Sequence, residues 1–392
     1  MKNILITFLV LVGTMTTLKA HIHFNPSKAI QKQHSHLSFW TEKAEANPMS
    51  HDIQIKLATI NTKLFELTGI KDYLLQAEEH LSFTTNVNSL SRSIGLCLLA
   101  QNLITQHKFC QAYDTILEAA ALGRNLESVH LIQFDIEYEL GYDTRSILSG
   151  IENKTDIEYL IRLAKQYKKD GAYRYAIRIM QSCKERAIDL NKQDLIYWLE
   201  SNIAELHMES GENEKAKEIL QEVNKLYPEA WYGYKLMAKI YYEEGSLSKS
   251  LDIITHVLEY HQSPELSILK HRINQEIGKQ PNSIQLDPQI HDLLHDHENG
   301  SMYATHVVKE LLFGNSEECK LALEIAEHEV QHRSTPETLS LLAYAYFKNQ
   351  EFNKACSIVF NDLQEVNLKK ESQIFVNQIT KNNCKQSHGR LH

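Results

Sequence analysis

Three groups of histidines in this chain have a spacing that could bind a metal ion or activate water. There are 20 histidines among 392 residues. The first group, HEVQH, places His328 and His332 around Glu329. On a helix, both histidines of such a motif can bind Zn²⁺ while the glutamate activates water for hydrolysis, and Glu351 could add a third ligand. We favour an ordinary helix face and predict no enzymatic activity, because a Thr-Pro boundary follows at residues 335–336, where a metalloprotease helix would continue.

The second group lies in a polar segment near the middle of the C-terminal half. His291 and His295 are four residues apart and would share one face of a helix, and His297 follows them. This spacing suits Zn²⁺ or Ni²⁺. The alternative, which we favour, is a solvated polar segment, because Pro281 and Pro288 interrupt the helical pattern just before it.

The amino terminus resembles a secretory signal peptide over residues 1–20. Lys2 precedes an apolar run at residues 4–12, and a region of small residues ends at Ala20, where we expect cleavage. The apolar run is shorter than the roughly 20 residues that span a bilayer, which favours cleavage over a retained membrane anchor. The mature protein is therefore expected to be exported, to the periplasm or beyond, without stable insertion in a membrane.

Cleavage at that point would create the third histidine group. The new terminus would read His21-Ile22-His23. A histidine in third place can bind Cu²⁺ or Ni²⁺ in a square plane, together with the free α-amine and the two intervening backbone nitrogens. The alternative is a binding capacity without biological use, which we favour.

Composition limits the class of protein. The net charge of −9 argues against a general nucleic-acid binder, which needs a basic stripe. Only 14 Gly and 7 Pro occur, too few for a loop-rich sandwich, and apolar residues recur at helical spacing through most of the chain. We therefore expect an all-α fold. We interpret most of the six cysteines as small buried side chains without disulfide bonds.

Small residues recur at intervals near 34. Ala216 and Ser250 are 34 residues apart, and each lies five residues after a glycine. Ala204 and Ala238 repeat the same interval upstream. Antiparallel helices approach closely only where their facing residues are small, so the interval indicates repeated helix pairs.

Five stretches resemble the repeats of bacterial tetratricopeptide (TPR) array proteins. They are residues 96–120, 159–188, 200–228, 231–264 and 339–360. Tyr234, Ala238, Gly245 and Pro264 follow the TPR pattern, although Ser250 replaces the usual alanine and residues 266–300 match poorly. The resemblance covers most of residues 84–368. It implies an all-α solenoid of antiparallel helix pairs that binds a partner and has no enzymatic activity.

The resemblance also divides the chain. We predict a His-containing segment with a degenerate helix pair at 21–83, the main array at 84–280, a linker at 281–299, C-terminal pairs with a capping helix at 300–380, and a polar tail at 381–392. First helices line the concave face of such arrays.

Aromatic and charged residues on that face predict a site for a peptide or protein of the cell envelope. Its candidate residues are Trp198, Glu205, Met208, Tyr232, Lys235, Lys239 and Tyr242. The alternative is that the aromatic residues pack against neighbouring repeats. A second functional hypothesis is an envelope protein that handles Cu, Ni or Zn with its histidines. No resident cofactor is predicted.

Overall fold

The computed structural model describes residues 22–85, 92–278, 302–364, 366, 368, 370–382 and 384. This part of the chain folds into helices and contains no strand. The predicted signal peptide, the predicted linker and His21 lie outside it, as do His291, His295 and His297.

The helices follow one another with short turns, and most pack against the helix that precedes or follows them. They are α1 (Ser27–Ala46), α2 (His51–Thr68), α3 (Asp72–Thr85), α4 (Arg92–Thr105), α5 (Phe109–Ala121), α6 (Leu126–Glu139), α7 (Arg145–Gly150), α8 (Ile157–Lys169), α9 (Tyr173–Asp189), α10 (Gln193–Glu209), α11 (Asn213–Leu226), α12 (Trp231–Glu243), α13 (Leu247–Leu258), α14 (Pro264–Glu276), α15 (Ala304–Leu311), α16 (Ser316–His332), α17 (Pro336–Lys348), α18 (Phe352–Asp362) and α19 (Lys370–Asn382). The prediction of an all-α solenoid of helix pairs is confirmed.

The small residues of the repeat lie where the helices touch. Ala204, Ala216, Ala238 and Ser250 have no exposed surface. The Ser250 hydroxyl donates a hydrogen bond to the Ala238 carbonyl oxygen at 2.8 Å. A serine is therefore accepted in place of alanine, because its one polar group is satisfied inside the helix pair.

The C-terminal helices share a hydrophobic core with the main array. Ile268 of α14 belongs to the same buried cluster as Val307 and Leu311 of α15. A disulfide joins Cys356 of α18 to Cys384 beyond α19, with their Cα atoms 5.8 Å apart. The expectation of unpaired cysteines is wrong for this pair, because sequence spacing does not reveal which segments the helix packing brings together. The other four are free, and all of them except Cys110 are buried.

Segments that are far apart in the sequence come into contact at two places, which we call the first and second seams. At the first seam, the Gln262 backbone N–H donates to the Thr68 carbonyl at 2.7 Å. Gly69 has a positive φ of 68°, and a Cβ there would overlap the Gln262 carbonyl oxygen. Glycine is required by both its conformation and the close approach.

The second seam has the same design. The Arg333 guanidinium binds the Glu139 carbonyl oxygen at 3.1 Å and the Glu139 carboxylate at 3.0 Å. Gly141 has a φ of 86°, and a Cβ there would overlap the Ser334 carbonyl oxygen. The partners at this seam are 194 residues apart, as are Thr68 and Gln262 (262 − 68) at the first.

No helix in the described ranges is both long and apolar enough to cross a membrane.

Candidate functional site

The first helices of successive pairs lie side by side, and we call the surface they share the first-helix face. It is formed by α6, α8, α10, α12, α14, α15 and α17. Ion pairs, or between α10 and α12 a hydrogen bond to a carboxylate, cross from each of these helices to the next. Asp135 of α6 binds Arg162 of α8 at 2.5 Å and Lys165 of α8 at 2.7 Å. The two cations outweigh burial and hold the pKa of the Asp135 carboxyl below its usual range.

Between α8 and α10 the cation lies on the earlier helix and the carboxylates lie on the later one, the reverse of the arrangement between α6 and α8. Lys168 of α8 binds Glu205 at 2.9 Å and Glu209 at 3.1 Å, both on α10. Glu205 also accepts a hydrogen bond from the Tyr232 hydroxyl of α12 at 3.1 Å. Two predicted site residues, Glu205 and Tyr232, are therefore in direct contact, and they are held by each other and by Lys168.

Lys235 and Lys239 of α12 converge on a single carboxylate. Glu265 of α14 lies 3.1 Å from the Lys235 ammonium and also binds Lys239. Burial would raise the pKa of the Glu265 carboxyl, but Lys239 and Lys235 together hold it far below its usual range. Burial lowers the pKa of Lys235 despite its pairing. The Lys235 ammonium also lies 4.4 Å from the centre of the Tyr232 ring, within range for a cation–π contact.

The charges continue into the C-terminal helices. Arg272 of α14 binds the buried Glu310 of α15 at 2.7 Å. Lys309 of α15 binds Glu337 of α17 at 3.1 Å and Glu371 of α19 at 2.8 Å. Each first helix thus offers charges opposite to those of its neighbour, and the face is balanced in charge.

The remaining predicted site residues are half-buried side chains at the edges of the hydrophobic core. Trp198 packs against the cluster of α8, α9 and α10, and Met208 packs against the cluster of α12 and α13. Tyr242 donates a hydrogen bond from its hydroxyl to Glu276. These side chains therefore make intramolecular contacts, as the alternative of packing against neighbouring repeats expects, and they keep part of their surface accessible. Their role in partner binding stays a prediction.

The HExxH sequence lies in the last turns of α16. His328 and His332 are exposed with ring centroids 4.5 Å apart, and the His332 Nδ1 donates to the His328 carbonyl oxygen at 3.0 Å. Glu329 instead points into the protein, where it is 4% exposed and 4.0 Å from Arg333. The carboxylate and the two imidazoles therefore do not face a common point.

Other candidate metal ligands are dispersed. Glu351 binds Lys354 at 2.6 Å. His23 is exposed in the segment before α1. Within the described residues, no three His, Cys, Asp or Glu side chains form a group that could hold a metal ion.

Sequence reasoning missed the acidic partners of the predicted lysines and the histidines at the seams. Glu265 lies just beyond the repeat that ends at Pro264, so its alignment with Lys235 and Lys239 was not visible. A usable signal was the change of sign between equivalent positions one repeat apart, such as Glu205 and Lys239.

A comparison with known protein families identifies one of the predicted repeats. The tetratricopeptide repeat family matches residues 202–230, which contain α11 and its flanks. The chain is similar to the solved TPR domain of P58(IPK), with 15% identity, 93% of this chain and 96% of that chain covered, and a TM-score of 0.28. It is also similar to yeast Tom70, with 13% identity, 92% of this chain and 62% of that chain covered, and a TM-score of 0.28. No curated protein matches the sequence.

The helix pairs, their small contact residues and the matched repeat together define the fold. The chain is an all-α TPR-type solenoid, an architecture that serves as a scaffold for protein interaction.

Proposed function

We propose that this protein is an exported, non-enzymatic scaffold whose first-helix face binds an extended segment of a protein of the cell envelope. The observation that carries the proposal is the row of paired charges along that face. Lys168, Glu205, Lys239 and Glu265 are each fixed by a partner on a neighbouring helix. Side chains that are already ordered lose little further entropy when a ligand binds them.

The accessible part of this row suits a ligand that carries both signs of charge. The side chains of Lys239 and Glu205 keep 36% and 26% of their surface exposed. Complementary charges fix the register of a ligand and exclude wrong partners. A segment with alternating acidic and basic residues, and an aromatic or aliphatic residue to meet Trp198 or Tyr242, is the partner chemistry that this face favours.

Export is supported by the signal-like residues 1–20 and by the disulfide between Cys356 and Cys384. Structural disulfides persist mainly in oxidising compartments, of which the periplasm and the extracellular space are examples. Cell fractionation and amino-terminal sequencing of the mature chain test this part of the proposal. A protein retained in the cytoplasm with an intact amino terminus would refute it.

Site-directed photo-crosslinking tests the position of the binding face. A photoreactive phenylalanine analogue at Tyr242 should give a discrete crosslinked product with an envelope protein. The same analogue at Tyr175, which is 59% exposed on the second helix α9, is the matched control and should give none. Crosslinking from Tyr175 alone would place the site on the outer surface.

A charge reversal separates binding from folding. The triple variant Lys235→Glu, Lys239→Glu and Glu265→Lys keeps opposite charges in contact but inverts their order along the face. We expect it to retain helicity and to lose the partner identified by crosslinking. Undiminished binding by this variant would show that the row of charges does not recognise the partner.

A further inference from the structure

The segment before α1 lies in a groove on the α12–α13 pair, far from its own place in the sequence. Phe24 is only 1% exposed. Its ring meets three aromatic rings edge-on, with centroid distances of 5.3 Å to Tyr234, 5.9 Å to Tyr260 and 6.4 Å to His256. These edge-to-face contacts, together with the burial, make Phe24 the anchor of the segment.

Two hydrogen bonds hold the peptide group that joins Phe24 to Asn25. The Asn25 N–H donates to the Pro228 carbonyl oxygen at 2.8 Å. The Phe24 carbonyl oxygen accepts a hydrogen bond from the His256 Nε2 at 2.9 Å, which fixes the proton of that imidazole on Nε2. The groove thus satisfies one peptide group of its occupant as well as the Phe24 side chain.

Side chains along the segment alternate between the groove and solvent. Phe24 is buried and Ile22 is half-buried against the α12–α13 cluster, whereas His23 and Asn25 are exposed. Pro26 is also buried, and it caps the start of α1 with a φ of −83° and a ψ of 0°. A period of two is that of an extended strand. The groove therefore holds an extended peptide by two alternate positions, an aliphatic residue and an aromatic residue.

We propose that this groove is a peptide-binding site for an extended segment of the pattern aliphatic-x-Phe, and that residues 22–26, which carry this pattern, are its ligand in cis. The site is separate from the first-helix face. Residues 22–26 lead directly into α1, which packs against α2 and has no fully buried residue. Phe24 therefore ties the amino-terminal helices to the α12–α13 pair. A partner segment with the same pattern binds only when it displaces residues 22–26.

The test is the binding of a labelled peptide with the sequence of residues 21–27, HIHFNPS, to the full mature chain. The Phe24→Ala variant should bind one equivalent of this peptide, measured by fluorescence anisotropy. Wild type should bind it at least about tenfold more weakly, because a tethered segment competes at an effective concentration near the millimolar range. The same peptide with Ala in place of Phe is the matched control and should bind neither protein.

A folded Phe24→Ala variant that fails to bind HIHFNPS would overturn the proposal. If that variant does not fold, Phe24→Leu keeps an apolar side chain and tests the same point. Phe24→Leu should bind the peptide more tightly than wild type does. Equal binding by Phe24→Leu and wild type would also overturn the proposal, because it would show that residues 22–26 do not compete for the groove.

Discussion

Acidification should destabilise the first seam, because His261 is buried there in its neutral form. Its imidazole stacks on the Trp231 ring with a centroid distance of 4.1 Å and lies beneath the turn at Gly69. Burial, and then the charge of Lys235, lower its pKa to about 3 from the ordinary value of 6.5. Protonation would place a second positive charge near Lys235 in the protein interior, where water cannot solvate it.

The expected magnitude follows from the two pKa values. The unfolded chain takes up the proton as the pH falls through 6.5, whereas the folded chain stays neutral until about pH 3. Stability is therefore complete above pH 6.5 and is lost progressively below it. At pH 5 the loss is about 2 kcal/mol for this one histidine, at about 1.4 kcal/mol per pH unit.

Two half-buried histidines act in the same direction. Burial, followed by Arg333 and His306, lowers the pKa of His107 to about 3. Burial lowers the pKa of His306 to about 4, although Glu265 opposes it. The stability that the Glu265 ion pairs contribute begins to be lost only when the pH falls below 4.5, the ordinary pKa of a Glu carboxyl, at which the unfolded chain takes up the proton. Measurements at pH 5 therefore isolate the histidines.

Urea unfolding followed by circular dichroism, at pH 7 and at pH 5, measures this effect. His261→Phe keeps a flat ring for Trp231 and removes the titration, so it should lose about 2 kcal/mol less than wild type between the two pH values. His36→Phe, at an exposed position of α1, is the matched control and should behave as wild type. The reasoning is refuted if His261→Phe and wild type lose the same stability on acidification.

Three further predictions concern packing, covalent structure and metal binding. Ala238→Leu should lower the free energy of unfolding by about 1–3 kcal/mol through overpacking. Its control, Ser248→Leu on the exposed side of α13, should change that free energy by less than about 0.5 kcal/mol, and equal effects would contradict the repeat register. A thiol titration of the denatured, unreduced protein should find four free thiols, and six would exclude the disulfide. Cys384→Ser should lower the free energy of unfolding by about 3 kcal/mol, because it opens the loop that the disulfide closes from Cys356. If cleavage leaves residue 21 first, the mature chain should bind one Cu²⁺ at neutral pH, and its affinity should fall steeply in acid. In calorimetry, His23→Ala should abolish this binding. Binding that survives His23→Ala would locate the metal elsewhere.

The repeat pattern in the sequence was sufficient to predict the helix pairs. Ala204, Ala216 and Ala238 were identified from their spacing alone, and all three have no exposed surface. The reason is local: a close contact between two short antiparallel helices depends on a few small residues within about 34 positions.

The seams and the disulfide could not be predicted, because they depend on how small rotations between repeats add up. Glu139 and Arg333 meet only after 194 residues of accumulated twist. An error of a few degrees at each repeat would separate them. The contact between Phe24 and Tyr260 could not be predicted for the same reason, because no sequence periodicity relates these two positions.

Helix α12 links the two proposed binding sites and the first seam. None of its residues from Trp231 to Tyr242 is exposed. Tyr234 contacts Phe24 in the groove, Lys235 pairs with Glu265 on the first-helix face, and Trp231 stacks on His261 at the seam. Because one rigid helix carries all three contacts, displacement of Phe24 should alter the environment of Trp231. Tryptophan fluorescence should therefore differ between Phe24→Ala and wild type, and an unchanged spectrum would show that the groove and the seam are independent.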